Sequence, residues 1–437
     1  MRSILFTILF FLSLFFKSQQ ERRVISGVVL TSDSNLPVQN VVVKLAGTYY
    51  STASDNKGSF TLKVPPRARY RLIFSHISFE SCVKYLDSTA LDTTTIIVKL
   101  KTKTRLLTGV DVLATNKPET LVGKPTFSIY DFDFIEDKFL LLTAVNSLKN
   151  AQVKVSDYDG NISASFDVPK SAGEALYFFS DYEGYTDLVC KDSIFRIDLF
   201  GNELMIIPIR KKDFEKYLLP VTDKAFGKYY SDDQWEKYPS FNHYAIEIGD
   251  TTAKILKNIT NKDLMDMYNF EYYFLPPAMQ MQARRLAEEY KADYHVVAAL
   301  MSGFTETMFY EPLYAPLFIL KDTICIFNHY NNSLYHFDRE NKLIDSVSIN
   351  YHHPKNWRHW KRKLLVDESE QAVYAFFSRD EHHYFKKIDF QTGKELFTYK
   401  LQNYSGRRIK IKDGYAYYVY KPATSLQEYY LYRERIN

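Results

Sequence analysis

The chain has 437 residues, a formal net charge of +4, 46% hydrophobic and 25% charged residues. It is long enough to bury a sizeable core in two or three domains, and its charge is too small to argue for nucleic acid or any generally anionic partner. Three cysteines, Cys82, Cys190 and Cys325, stand far apart with no C-x-x-C pair, which excludes a fully paired disulfide set within the chain and argues against a zinc or redox centre.

The chain opens MRSILFTILFFLSLFFKSQQ. Arg2 precedes an apolar run of about 13 residues, Ile4–Phe16, which suits the core of a secretory leader and is short for a membrane span. Cleavage is expected after Ser18, so residues 1–18 read as a signal peptide, with a retained anchor as the alternative. No later stretch reaches the roughly 18 apolar residues of a spanning helix. The mature chain is expected to be exported and to lack a transmembrane segment.

Residues 23–101 are short strand texts divided by turns. ISGVVL is followed by the loop SDSNLPVQN, then by VVVKLAGTYYSTAS. In SDNKGSF, Gly58 can take the positive φ that the turn requires. Phe60, Leu62 and Val64 alternate with Thr61 and Lys63, the pattern of a half-buried strand. Tyr70, Leu72 and Phe74 repeat it, and TTTIIVKL closes the series. Such spacing predicts a small β-sandwich. Aromatic residues, 16% of the chain, also favour strands.

Five pieces of this text occur in a recognisable order: ISGVV, Leu36-Pro37-Val38, Val43–Thr48, Ser54–Phe60 and Tyr70–Ser75. Together they resemble the carboxypeptidase regulatory-like domain. The resemblance implies a transthyretin-like sandwich of seven strands with no catalytic machinery of its own. It also implies a bacterial setting, the periplasm or outer surface of a Gram-negative cell. Asp55, Asn56 and Gly58 are then turn residues. The same module precedes the plug and barrel of outer-membrane receptors, and Thr104–Lys117 resembles the strand that joins them. A barrel of that class needs roughly 22 strands, more than the rest of this chain can supply.

After a linker at 102–125, four segments align: QVKVSDYDGNISASFDV, SIFRIDLFGNELMIIPI, SLYHFDRENKLIDSVSI and YFKKIDFQTGKELFTYKL. Each is strand, aspartate, turn, strand, with Asp157, Asp198, Asp338 and Asp389 before Gly160, Gly201, Asn341 and Gly393. A weaker copy starts at Tyr244. The spacing of about 40 to 50 residues is that of a propeller blade. The expected fold class is therefore all-β: a small β-sandwich, then a six-bladed β-propeller over 126–437, five or seven blades being the alternatives. The C-terminal unit RIKIKDGYAYYVYKPATSLQEYYLYRERI supplies three strands, and TFSIYDF near Thr126 is expected to complete that blade. At 276–303 the spacing turns helical, through Ala283, Leu286, Ala287 and Tyr290 and then Val296, Val297, Leu300 and Met301. A helical hairpin inserted between the third and fourth blades is expected to pack on one face of the propeller. A cap over the central channel is the other reading.

No G-x-S-x-G, H-E-x-x-H or P-loop motif occurs, and no catalytic, cofactor or metal residue is assigned. The most unusual stretch is YHHPKNWRHWKRK. Lys355, Trp357, Arg358, Trp360, Lys361 and Arg362 make it a candidate loop for an anionic ligand, a glycan or lipid head group held by charge and stacking. A solvated loop between blades is the plainer reading. The expected function is that of a non-enzymatic exported binding protein with a protein or glycan partner in the cell envelope. The alternative is an enzyme acting on a glycan or peptide from an unrecognised site in the propeller channel. Carboxylates and histidines with shifted pKa at the channel mouth would favour the enzyme, aromatics and neutral polar groups the binding protein.

Overall fold

The computed structural model describes residues 23–436, apart from 47–49, 67–68, 77, 88–95, 103–116, 202, 251 and 426–427. The N-terminal apolar run and most of the Thr104–Lys117 stretch therefore lie outside the described residues. The chain divides into two units, Met1–Val112 and Leu113–Asn437.

The first unit has seven described strands: β1 (Arg23–Thr31), β2 (Val42–Leu45), β3 (Ser51–Ala53), β4 (Ser59–Val64), β5 (Arg69–His76), β6 (Phe79–Asp87) and β7 (Ile96–Leu100). They form two sheets, ordered β4-β1-β7 and β3-β2-β5-β6. Alternation sends Ile25, Val29, Val43, Phe60, Leu62, Tyr70, Leu72 and Phe74 into one core. The Ser54–Phe60 turn behaves as its residues dictate. Asp55 Oδ1 accepts from the amides of Lys57 and Ser59 at 2.9 and 2.8 Å. Gly58 sits at φ 72°, where a Cβ would lie 2.4 Å from the Val29 carbonyl oxygen. Only glycine fits there.

The second unit contains six four-stranded antiparallel sheets. Five are built from consecutive strands, at Ser128–Asp167, Ala175–Ile209, Val221–Thr260, Leu317–Ser348 and Trp360–Lys400. The sixth takes three strands from Arg407–Arg435 and its outermost strand from β8 (Glu119–Val122). This joins the C-terminal sheet to the start of the unit and closes a six-bladed propeller. The closing strand thus differs from the expected one. TFSIYDF forms the innermost strand of blade one, Ser128–Ile135, and β8 comes from text assigned to the linker. The residues explain the exchange. Ser128–Ile135 is buried at six of its eight residues, whereas ETLV is buried only at Leu121 and Val122 and suits an outer edge.

Blades are held by their shared faces. Apolar clusters bridge blades one and two (Leu140, Val155, Leu188, Ile197), four and five (Phe327, Leu334, Val373, Phe377), five and six (Tyr374, Phe385, Ile411, Tyr418), and six and one (Val122, Phe139, Tyr417, Leu431). A fifth cluster joins blades three and four to the helices. Between blades two and three the contacts are polar and aromatic: a Lys224–Glu183 ion pair and edge-to-face Tyr182 and Tyr229 at 5.3 Å.

Asp157, Asp338 and Asp389 hold their hairpin turns as expected, whereas Asp198 stays within its strand, opposite Met205. Asp157 Oδ1 accepts from the amides of Asp159 and Asn161, and Asp338 Oδ1 from those of Glu340 and Lys342. Gly160, Gly201, Asn341 and Gly393 all have positive φ. Gly160 and Gly393 have a second reason. A Cβ would come within 2.8 Å of the Leu121 oxygen and 2.5 Å of the Ser348 oxygen, each on the outer strand of the preceding blade.

The helical insertion is longer than its periodicity suggested. Three helices occupy it: α1 (Lys262–Phe274), α2 (Pro277–Tyr290) and α3 (Tyr294–Met301). The aromatic text KDLMDMYNFEYYF reads as strand by propensity. It is helical because Leu264, Tyr268 and Tyr272, spaced by four, bury one stripe, and Asn261 caps the start by accepting from the Leu264 amide at 3.2 Å. Leu264, Tyr268, Ala299 and Phe304 pack into the core of blades three and four, so the insertion packs against that seam.

Candidate functional site

A pocket of about 410 Å³ opens between the start of α1, the segment after α3, and blades four and five. It is lined by Asn261, Leu264, Met308, Phe309, Glu311, Tyr314, His329, Tyr330, His352, Trp360 and Arg362. Of the six loop residues singled out in the sequence, the structure brings two here, Trp360 and Arg362, both on the innermost strand of blade five, Trp360–Asp367. Lys355 and Arg358 are exposed on the loop before that strand, and Lys361 Nζ donates to the Arg358 carbonyl at 3.0 Å. The backbone of Trp357 opens a short 3-10 turn.

A bulge decides where Arg362 points. Pairing with the next strand skips from Trp360↔Phe377 to Leu364↔Ala375, and Arg362 takes φ 49°. A bulge redirects side chains at the rim of a sheet. Arg362 is thereby delivered to Glu311 Oε2 at 2.5 Å, to the Tyr330 hydroxyl at 2.8 Å and to the Pro312 carbonyl. Its charge is met by Glu311. It anchors the Glu311–Tyr314 segment, and is not held out toward an anion.

The floor is a histidine–tyrosine network. His329 Nδ1 lies 2.9 Å from the Tyr314 carbonyl and Nε2 lies 2.8 Å from the Tyr351 hydroxyl. The carbonyl can only accept, so Nδ1 carries the proton and Nε2 accepts from Tyr351. His352 Nε2 faces two oxygens, the His329 carbonyl at 3.0 Å and Asn332 Oδ1 at 2.9 Å, and so donates. That leaves His352 Nδ1 a buried acceptor without a hydrogen-bond partner among the described residues. Both imidazoles are held neutral. Burial pushes His329 down to about 3 and His352 to about 4, with the hydrogen bonds to backbone carbonyls opposing. Burial also raises the Tyr314 phenol to about 12.

The walls are aromatic. Tyr314 stacks on His329 with ring centres 5.6 Å apart, and Trp360 leans on His329 and Tyr351 at 5.5 and 5.6 Å. At the rim, Met308 is 85% and Phe309 69% exposed, high values for side chains of that size.

The innermost strands, which surround the propeller axis, carry a second group of charges. Blade one contributes Asp131 and Asp133, blade five Lys363, and blade six, through its innermost strand Arg407–Lys412, Arg408 and Lys410. The carboxylates tie blade one to blade two. Asp131 Oδ2 accepts from the Phe178 amide at 2.9 Å, and Asp133 Oδ2 from the hydroxyls of Ser180 and Thr186 at 2.6 and 3.1 Å. Burial raises the Asp131 pKa against those bonds and the nearby cations.

Sequence reasoning missed most of the pocket. His329 and Tyr330 sit in a turn and Tyr314 in an irregular segment, with no motif of their own. The available signal was the segment TMFYEPLYAP, where aromatics and two prolines interrupt the strand pattern after the helices. Among the described residues, no three His, Cys, Asp or Glu side chains gather as a metal site, and no helix is long and apolar enough to cross a membrane. All three cysteines are free thiols. Cys190 and Cys325 are buried, and burial raises them to about 11 and 12.

Several solved structures resemble the chain at low identity. A catalytically inactive virginiamycin B lyase from Staphylococcus aureus, crystallised with quinupristin, is 10% identical over 74% of this chain and 88% of that one, with a TM-score of 0.31. A streptogramin B lyase is 12% identical over 74% of this chain and 98% of that one, with a TM-score of 0.33. A prolyl endopeptidase structure is 10% identical over 91% of this chain and 48% of that one, with a TM-score of 0.30. The propeller stands on its own sheet order and not on these likenesses. No curated protein matches the chain. Residues 25–112 match the family model described as the CarboxypepD_reg-like domain, so the N-terminal sandwich is a domain of that family.

Proposed function

We propose that the protein is a non-enzymatic, exported binding protein of the bacterial cell envelope, and that its ligand site is the pocket between the helical insertion and blades four and five. The observation that carries this reading is the state of the pocket's polar groups. Arg362 and Glu311 neutralise each other, and His329 uses both ring nitrogens. What remains of the lining is largely aromatic and apolar, with Tyr314, Trp360 and Leu264 inside and the exposed Met308 and Phe309 at the rim. Such a recess suits a neutral ligand with a flat apolar face. A glycan has that chemistry, and so has a short protein segment.

Export and the envelope are supported by the leader-like N-terminus and by the setting that the regulatory-like domain implies. The test is binding of the purified protein to a glycan array, repeated with Trp360→Ala. Binding that depends on Trp360 supports the reading, and no glycan bound removes the sugar as ligand.

The alternative, an enzyme acting on a glycan or peptide from the channel, draws on the shifted groups there, Asp131 upward and Lys363 downward. Product formation from glycans or peptides incubated with the protein, lost in Lys363→Met, would favour it.

A further inference from the structure

The innermost strands of three successive blades, five, six and one, carry charged side chains that lie near one another. The cations come from two bulged inner strands. In blade five the bulge is at Arg362, just before Lys363. In blade six the pairing skips from Arg407↔Val419 to Lys410↔Tyr417, and Arg408 takes φ 53°. A non-glycine residue in left-handed backbone is costly, and such outliers concentrate where a side chain must be aimed. Here two of them frame one group of cations.

The charges within the cluster do not balance. Lys410 Nζ is paired with Asp133 Oδ1 at 2.6 Å. Arg408 is loosely held, 3.9 Å from Asp131 Oδ2 and 3.4 Å from the Leu176 carbonyl. Lys363 has no hydrogen bond or ion pair among the described residues. The two carboxylates are already occupied by amides and hydroxyls of blade two, so three cations face two anions. Water reaches Lys363, yet its pKa is lowered, first by the enclosing protein and then by Lys410 and Arg408.

We propose that the propeller channel is a binding site for a small dianion, a phosphate monoester or a dicarboxylate, held between Lys363 and Arg408 with Lys410 behind them. A guanidinium offers the fork that such oxygens fit, and the Lys363 ammonium supplies the point charge. This site goes beyond the pocket and stands without it.

The experiment is calorimetric titration of the full protein at low ionic strength with inorganic phosphate and, separately, with succinate. The wild type, Lys363→Met and Trp360→Ala are compared. Lys363 forms no bond whose loss would unfold the blade, and a thermal melt of each variant checks that it is folded. The expected result is saturable binding of at least one probe, weakened about tenfold or more in Lys363→Met, as loss of a charge-assisted contact requires, and unchanged in Trp360→Ala. Phosphate alone would mark the site as one for phosphoesters, succinate alone as one for dicarboxylates. Binding of neither probe at millimolar concentration, or an affinity that Lys363→Met leaves unchanged, overturns the proposal. Loss of anion binding would leave the glycan-array result untouched, so the two readings fail separately.

Discussion

The pocket and the channel strands of the propeller are built by opposite means. The pocket under the helices matches its polar groups in place: a half-buried arginine against an exposed glutamate, a buried histidine between a carbonyl and a phenol. The channel strands bury two carboxylates but keep Lys363 and Arg408 in reach of water, and among the described residues Lys363 has no partner. A buried polar group must be satisfied locally or it costs free energy, whereas a solvated charge can wait for a ligand. The pocket should therefore be sensitive to anything that changes its protonation or packing, and the channel should tolerate loss of a charge.

The largest expected effect would erase the comparison altogether. Val122→Asp puts a carboxylate into the seam that β8 closes, where Val122 is 1% exposed. Burial of an unpaired charge at the closure of the ring should cost about 3–5 kcal/mol or more, read as loss of cooperative folding in a urea melt. An unchanged melt would mean that β8 does not close the ring.

Acid comes next, and it acts on the pocket. Both His329 and His352 have folded pKa values below the unfolded value of about 6.5. The unfolded chain therefore binds protons first. The stability these imidazoles contribute is complete above about pH 6.5 and is lost as pH falls toward 4 and then 3. At pH 5 the loss should be about 2 kcal/mol for each imidazole. Urea midpoints at pH 7.5 and pH 5, compared for wild type and His352→Gln, test it. An equal acid response in the two proteins would contradict the neutral-histidine assignment.

Trp360→Ala removes a half-buried ring that packs on Phe377, Tyr351 and His329. It should cost about 2 kcal/mol, less than a fully buried tryptophan, and should show as a lower melting temperature. The smallest effect should have the opposite sign. Lys363→Met removes a cation that Lys410 and Arg408 repel, and the melting temperature should hold or rise slightly. A fall of several degrees would show that Lys363 has a structural role.

Much of the architecture was legible because it follows from local chemistry. The Asp-x-x-Gly hairpins, the alternating strands and the turn at Gly58 are specified by a few residues each. The closing strand was not legible, since ETLV is short and its partner lies at the other end of the chain, where no local pattern can point to it. Helix α1 was hidden because its aromatics favour strands, and only the packing of Leu264, Tyr268 and Tyr272 decides otherwise. At the site, the text around Trp360 announced itself through its composition, but the composition suggested a basic surface. The bulge at Arg362 and the carboxylate of Glu311, 51 residues earlier, turn part of it into a neutral wall. The channel cations lay in RRIKIK, read only as a strand of the C-terminal unit, and at the end of WKRK. Alternating charge on a strand reads as a solvated face unless its innermost place in a blade is known.

The most direct measurement is the glycan array probed with wild-type protein and with Trp360→Ala, each shown to be folded by its thermal melt. The account predicts a discrete set of neutral glycans bound by the wild type and lost in the variant, with phosphate or succinate titration unchanged between the two. A wild type that binds no neutral glycan, or a signal that survives loss of the Trp360 ring, would contradict the pocket as a glycan site.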